Sequence, residues 1–178
     1  MRSRPTLYVM IGQPGAGKTT RARELERDHG ALRFTPDDWM IPLFGEPEAD
    51  GRRDILEGRF VWLAMRALRL GTNVILDFGV WTKAERSALR HLAAQAGADC
   101  VLVYLPIDPP EQLARVQSRQ ATDPGSTFPI TPADLTEYRR LFQAPDGAEL
   151  AGEHVEPPPT GCADWAAWAA GRWPTSLG

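Results

Sequence analysis

An α/β fold built on a parallel sheet is what this sequence predicts, on three observations. Four short apolar runs, Leu7 to Ile11, Leu32 to Phe34, Asn73 to Leu76 and Cys100 to Leu105, alternate with stretches of helical length. A Gly-rich octet, Gly12-Gln13-Pro14-Gly15-Ala16-Gly17-Lys18-Thr19, stands directly after the first run and opens a helix-compatible stretch beginning at Lys18. Helix starts are marked at Thr35-Pro-Asp-Asp, Thr82-Lys-Ala-Glu, Asp108-Pro-Pro-Glu and Thr131-Pro-Ala-Asp, where a capping oxygen precedes an acid by three residues.

The octet has the form Gly, four free positions, Gly-Lys, then Ser or Thr. Such a loop turns backbone N–H groups toward phosphate oxygens, and the helix behind it adds its positive N-terminal dipole. The expected nucleotide contacts are therefore Gly12, Gln13, Pro14, Gly15, Ala16, Gly17, Lys18, Thr19 and Thr20. Lys18 reaches the β and γ phosphates in this reading, and the Thr19 hydroxyl meets Mg²⁺. At this composition the pattern is expected by chance only about 0.002 times in the whole chain.

The second run leads into Phe34-Thr-Pro-Asp-Asp-Trp, which puts Asp37 and Asp38 at a strand's carboxyl end, where the clefts of open α/β sheets lie. Either is placed to take a proton from an acceptor hydroxyl. Phosphoryl transfer has a loose transition state, so an ordinary ionised aspartate suffices. The same acids would equally compensate a helix dipole. Between Asp54 and Leu70 the spacing of Leu56, Phe60, Leu63, Ala67 and Leu70 predicts a helix with that side in the core. Arg59, Trp62, Arg66 and Arg69 fall on an adjoining face, read as a solvated basic edge with one packed aromatic, the alternative being a border for an anionic or ring-bearing ligand.

Asp77 closes the third run, where a carboxylate can hold Mg²⁺ through water or position the acceptor, or simply end a strand. Arg115 and Arg119 are four residues apart on one helix face, just before a Pro/Gly-containing stretch, Ala121 to Phe128. That arrangement suits a lid, about residues 115–130, that brings guanidinium groups to a transferring phosphoryl; a solvated pair is the alternative. Pro42 to Gly51 and Ala121 to Phe128 lack periodicity and read as exposed loops. After Phe142 come Pro, Gly and acids, then an Ala/Trp segment, about 161–173, in which Trp165 and Trp168 read as docking residues.

With 178 residues, 43% hydrophobic and 24% charged, the chain suits one domain over residues 1–178. A net charge of −3 and a pI near 5.6 disfavour a general polyanion-binding surface. Cys100 and Cys162 have neither the spacing nor the His neighbours of a zinc or redox site. No signal core follows Met1 and no run approaches the roughly 20 apolar residues of a membrane span, so a cytoplasmic location without membrane partners is expected.

Taken together, the octet, Thr35-Pro-Asp-Asp, Val74-Ile-Leu-Asp-Phe, Arg86, and Arg115 with Arg119 resemble the small P-loop kinases related to polynucleotide kinase and zeta toxin, over about residues 5–142. The resemblance implies a P-loop NTPase three-layer α/β sandwich, with a five-stranded parallel sheet in the adenylate-kinase-like order 2-3-1-4-5 and a small helical lid. It implies ATP and Mg²⁺, with Asp37 as the base and Arg115 and Arg119 as lid arginines. Asp38, Trp39, Arg59 and Arg86 are weaker acceptor-binding candidates.

The fifth strand would fall near Gly152-Glu-His-Val-Glu-Pro, a poor strand sequence, with an adenine contact around Thr160 and Gly161. The reaction type follows from the resemblance, but the acceptor does not. Chain acidity favours a small molecule such as a sugar, nucleoside or antibiotic-like compound, with a nucleic-acid 5′-hydroxyl as the second reading. A switch GTPase would carry Asn-Lys-x-Asp and Asp-x-x-Gly, and neither occurs. A mechanical ATPase acting on a protein partner would ordinarily need a further domain or a ring of subunits.

Overall fold

The computed structural model describes residues 4–46, 50–122, 130–153 and 155–178. In chain order the elements are β1 (Thr6–Ile11), α1 (Lys18–His29), β2 (Leu32–Phe34), α2 (Asp37–Phe44), α3 (Arg52–Arg69), β3 (Val74–Leu76), α4 (Lys83–Gln95), β4 (Asp99–Tyr104), α5 (Pro109–Thr122), α6 (Pro132–Leu141), α7 (Gly147–Leu150) and α8 (Trp165–Arg172). All four apolar runs form strands, which pair in parallel in the order β2-β3-β1-β4.

Side-chain alternation along these strands builds three layers. On β1, Leu7, Val9 and Ile11 join the cluster that holds Phe60, Leu89 and Trp173, whereas Met10 turns to Ala22, Leu25 and Ile75. The neighbouring β3 divides the same way, Val74 and Leu76 to the first side and Ile75 to the second. Thus α3, α4 and α8 cover one face, and α1 covers the other.

The strand order reproduces the first four positions of the expected 2-3-1-4-5. The fifth strand is a correction: among the described residues no strand follows Tyr104. Where it was expected, Gly152 takes a left-handed turn after α7. The prolines at 157–159 have no amide hydrogen to offer a ladder. The Glu156 carbonyl accepts instead from the Trp165 indole nitrogen at 2.8 Å.

The inward face of α3 also differs from expectation. Leu56 and Phe60 are buried, but Leu63 and Leu70 are exposed, Leu70 by 78%, and the inward stripe runs through Val61, Ala64, Met65 and Leu68. Two neighbours determine this. Besides the sheet, the C-terminal segment presses on α3 so closely that a Cβ on Gly58 would collide with the Pro174 carbonyl, which widens and rotates the buried arc.

Thr82 and Thr131 form the expected capping boxes with Glu85 and Asp134. Thr35 does not cap α2; it is buried, and Pro36 occupies the N-cap without a side-chain bond. Pro42 lies inside α2, so the first expected loop begins later, and residues 47–49 lie outside the described residues. In the second expected loop α5 continues to Thr122, and residues 123–129, which include most of the expected lid tip, lie outside the described residues. The C-terminal tryptophans dock as read: Trp165 and Trp173 are buried, and Trp168 meets both edge-on.

Arg86 belongs to this framework. It is fully buried and donates to both Glu149 carboxylate oxygens, at 2.8 and 3.0 Å, and to the Gln143 carbonyl at 2.8 Å. The structure does not bring this acceptor candidate to a cleft, because its guanidinium is committed to tying α4 to the segment that carries α7. Arg86→Ala leaves the Glu149 carboxylate buried without its partner, at a cost of about 3–5 kcal/mol. Thermal denaturation should then read a fall in Tm of roughly 10 °C.

Candidate functional site

A cleft of about 1120 Å³ opens at the carboxyl ends of β1, β2 and β3. Its floor is the loop between β1 and α1. Gly15 and Gly17 hold positive φ, of 82° and 87°, which turns the loop's amides inward. A Cβ on Gly12 would come within 2.8 Å of the Leu105 carbonyl oxygen, so only glycine lets the loop start this close to the end of β4. Pro14, Gly15, Gly17, Lys18, Thr19 and Thr20 line the cleft, while Gln13 and Ala16 do not: Ala16 is buried and the Gln13 side chain accepts from Gln112.

Lys18 Nζ donates to the Gln13 carbonyl at 3.1 Å. Burial brings its ammonium down to about 8, with the Asp77 and Asp37 charges opposing that fall and Arg119 adding to it. A desolvated cation held by one carbonyl is ready to accept an anion. Asp77 follows β3, and the Thr19 hydroxyl donates to it. Burial holds the Asp77 carboxyl above its usual range, opposed by Thr19, Arg33 and Lys18. Thr19 and Asp77 therefore supply hard oxygen donors beside the phosphate cradle, which suits Mg²⁺. Among the described residues no group of three or more His, Cys, Asp or Glu could hold a metal ion.

Asp37 and Asp38, adjacent in sequence, part company at the start of α2. Asp37 faces the cleft with its Oδ1 accepting from Arg53 Nη2 at 3.0 Å. Asp38 turns to Arg33, whose Nη2 donates to it at 2.7 Å and whose Nη1 donates to Asp77 at 3.3 Å. Trp39 packs edge-on against Phe60, and Arg59 lies over the Trp62 ring and donates to the Thr175 carbonyl. Asp38, Trp39 and Arg59 thus lie off the cleft wall, as do Thr160 and Gly161.

Opposite α2, Arg115 and Arg119 of α5 line the cleft together, and Arg115 Nη1 donates to the Gly15 carbonyl at 3.2 Å. Gln112, buried one turn earlier, donates to Gln13 Oε1 at 3.0 Å and to the Pro14 carbonyl at 3.2 Å, and accepts from Arg139 of α6 at 2.8 Å. This amide fastens α5 and α6 to the phosphate loop.

The remaining wall holds residues that sequence reasoning passed over: Asp54 and Glu57 of α3, Glu85 of α4 and Arg172 of α8. Glu57 is 4% exposed. Burial raises its carboxyl from 4.5 to about 7, and Arg53 offsets this only in part. A raised carboxyl means that the folded protein binds the extra proton. The associated stability is complete below pH 4.5 and is lost as pH rises through about 7. Glu57→Gln should accordingly raise Tm by roughly 3–6 °C at pH 8 and leave it almost unchanged at pH 4.5, read by calorimetry at both values.

The layered parallel sheet, the phosphate cradle at its central strand, and the acids and arginines across the cleft define a P-loop kinase fold. The chain belongs to the AAA domain family, which it matches over residues 7–145. Solved structures agree on the fold. A protein from Chloroflexus aurantiacus j-10-fl assigned as a kinase superposes with a TM-score of 0.64 at 20% identity, covering 89% of this chain and 85% of that one. A chain of the Pnkp1/Rnl/Hen1 RNA repair complex gives 0.64 at 21% identity, covering 79% of this chain, which spans only 45% of that longer chain. A gluconokinase from Sinorhizobium meliloti 1021 gives 0.53 at 17% identity, covering 83% and 79%. No helix among the described residues is long and apolar enough to cross a membrane.

Proposed function

We propose that the protein is an ATP-dependent kinase that transfers the γ-phosphoryl group to a hydroxyl of a small-molecule acceptor. The observation that carries this reading is that Asp37 and Lys18 line one cleft, near enough for the Asp37 charge to act on the Lys18 ammonium. The loop amides and Lys18 bind the triphosphate. Thr19, with Asp77 behind it, would hold Mg²⁺, which neutralises charge on the β and γ oxygens when bound.

The acceptor oxygen forms a bond to the γ phosphorus while the bond from that phosphorus to the β–γ bridging oxygen breaks, and ADP leaves with the electron pair. The acceptor proton passes to Asp37, whose partner Arg53 fixes the carboxylate's direction. Arg115 and Arg119 neutralise charge on the transferring group from the α5 side.

A nucleic-acid 5′-hydroxyl is the second reading, supported by the likeness to a chain of an RNA repair complex. Incubation with γ-labelled ATP tests the proposal by the fate of the label. A kinase places it on an acceptor, whereas a nucleotide switch or mechanical ATPase releases all of it as free phosphate whatever hydroxyl compound is supplied.

A further inference from the structure

Apart from Asp77 beside Lys18, the carboxylates lining the cleft gather on one side, where Arg53 and Arg172 stand among them. The α1 and α5 walls contribute Lys18, Arg23, Arg115 and Arg119 and no carboxylate. The opposite side, built by α2, α3 and α4, contributes Asp37, Asp54, Glu57 and Glu85. Among the described residues, the guanidiniums of Arg53 and Arg172 pair with these four acids. Arg53 is shared between Asp37, at 3.0 Å, and Glu57, at 3.3 Å. Arg172 is shared between Asp54, at 2.9 Å, and Glu85, at 2.7 Å.

Building on the kinase reading, we infer that the acceptor is a polyhydroxylated small molecule without an anionic group, uncharged or amine-bearing, and that Arg172 of the C-terminal helix tunes this preference. An anionic acceptor entering here would have to draw Arg53 or Arg172 from its carboxylates, leaving one buried acid, Glu57 or Glu85, without its cation. Hydroxyl or ammonium donors meet the opposite situation, because Asp54 and Glu57 each pair with a guanidinium that is shared with a second acid, Arg172 and Arg53 respectively, which leaves carboxylate lone pairs to accept from them.

Glu85 sets the frame rather than the contact: its Oε2 is taken up by the backbone amides of Trp81 and Thr82, at 2.8 and 2.9 Å. Beside it Trp81 meets Tyr138 edge-on at 5.1 Å, and both line the cleft as an aromatic wall suited to the apolar face of a saturated ring. Arg172 reaches this wall because α8 docks against α3 and α4 through Trp165, Ala169 and Trp173. It comes from beyond residue 145, where the match to the family ends.

The test is a panel of hydroxyl compounds grouped by charge and offered with MgATP to the full chain. The groups are hexoses and inositols, amino sugars and aminocyclitols, sugar acids and sugar phosphates, and 5′-hydroxyl oligonucleotides. The best uncharged or amine-bearing acceptor should exceed the best anionic one in kcat/KM by at least about tenfold. An anionic best acceptor, or no transfer to any uncharged or amine-bearing compound, overturns the inference. Transfer to anions alone overturns it and leaves the kinase reading standing, whereas release of label only as free phosphate sinks that reading itself.

Arg172→Gln supplies a second readout. Removing one of the two shared cations should raise the preference for amine-bearing over uncharged acceptors about tenfold. An equal loss for both classes would show that Arg172 only supports the fold and would overturn its part in selection.

Discussion

Replacing Asp37 by Asn should lower phosphoryl transfer about 10²–10⁴-fold while ATP binding stays close to wild type. Asparagine keeps the shape of the side chain and still accepts from Arg53 through its amide oxygen, so the start of α2 has no reason to move. What it loses is the capacity to take the acceptor's proton. Asp37 lies outside the loop proposed to grip the triphosphate and acts on it through its charge near Lys18, so affinity for a non-hydrolysable ATP analogue should be largely retained. Single-turnover transfer and calorimetric binding measured on the same preparation separate the two effects, and undiminished transfer would reject Asp37 as the base.

Lys18→Ala should impair both functions, lowering kcat/KM for ATP by about 10²–10³-fold. The Lys18 ammonium is a half-buried cation at the cradle, near the Asp77 and Asp37 charges. Without it the β and γ phosphates meet two carboxylates with no charge between, so ground-state binding weakens and the developing transition-state charge goes unscreened. The contrast with Asp37→Asn is diagnostic. One substitution separates binding from chemistry, and the other damages them together. Titration with the ATP analogue and steady-state kinetics measure the two losses side by side.

The parts of this site legible in the sequence are those in which a local rule acts. Gly12 to Thr19 form their cradle because glycine spacing fixes the backbone, and Thr82 and Thr131 cap because an acid three residues on completes the box. Strand positions could be read from apolar runs because both sheet faces are covered. The acceptor side was not legible, since Asp54, Glu57, Glu85 and Arg172 come from three helices and meet only through tertiary packing. Arg86 was read toward the cleft for the same reason: nothing local announces that Glu149, far along the chain, lies beside it. The stripe of α3 was misplaced because one helix serves two neighbours, and periodicity alone describes a helix with one.

A crystal structure of the chain with Mg²⁺ and a non-hydrolysable ATP analogue is the decisive measurement. The terminal phosphate should be held by the loop amides and Lys18, with the Asp37 carboxylate facing its phosphorus across a gap wide enough for one hydroxyl. A triphosphate bound elsewhere, or an Asp37 carboxylate turned away from that phosphorus, would contradict it.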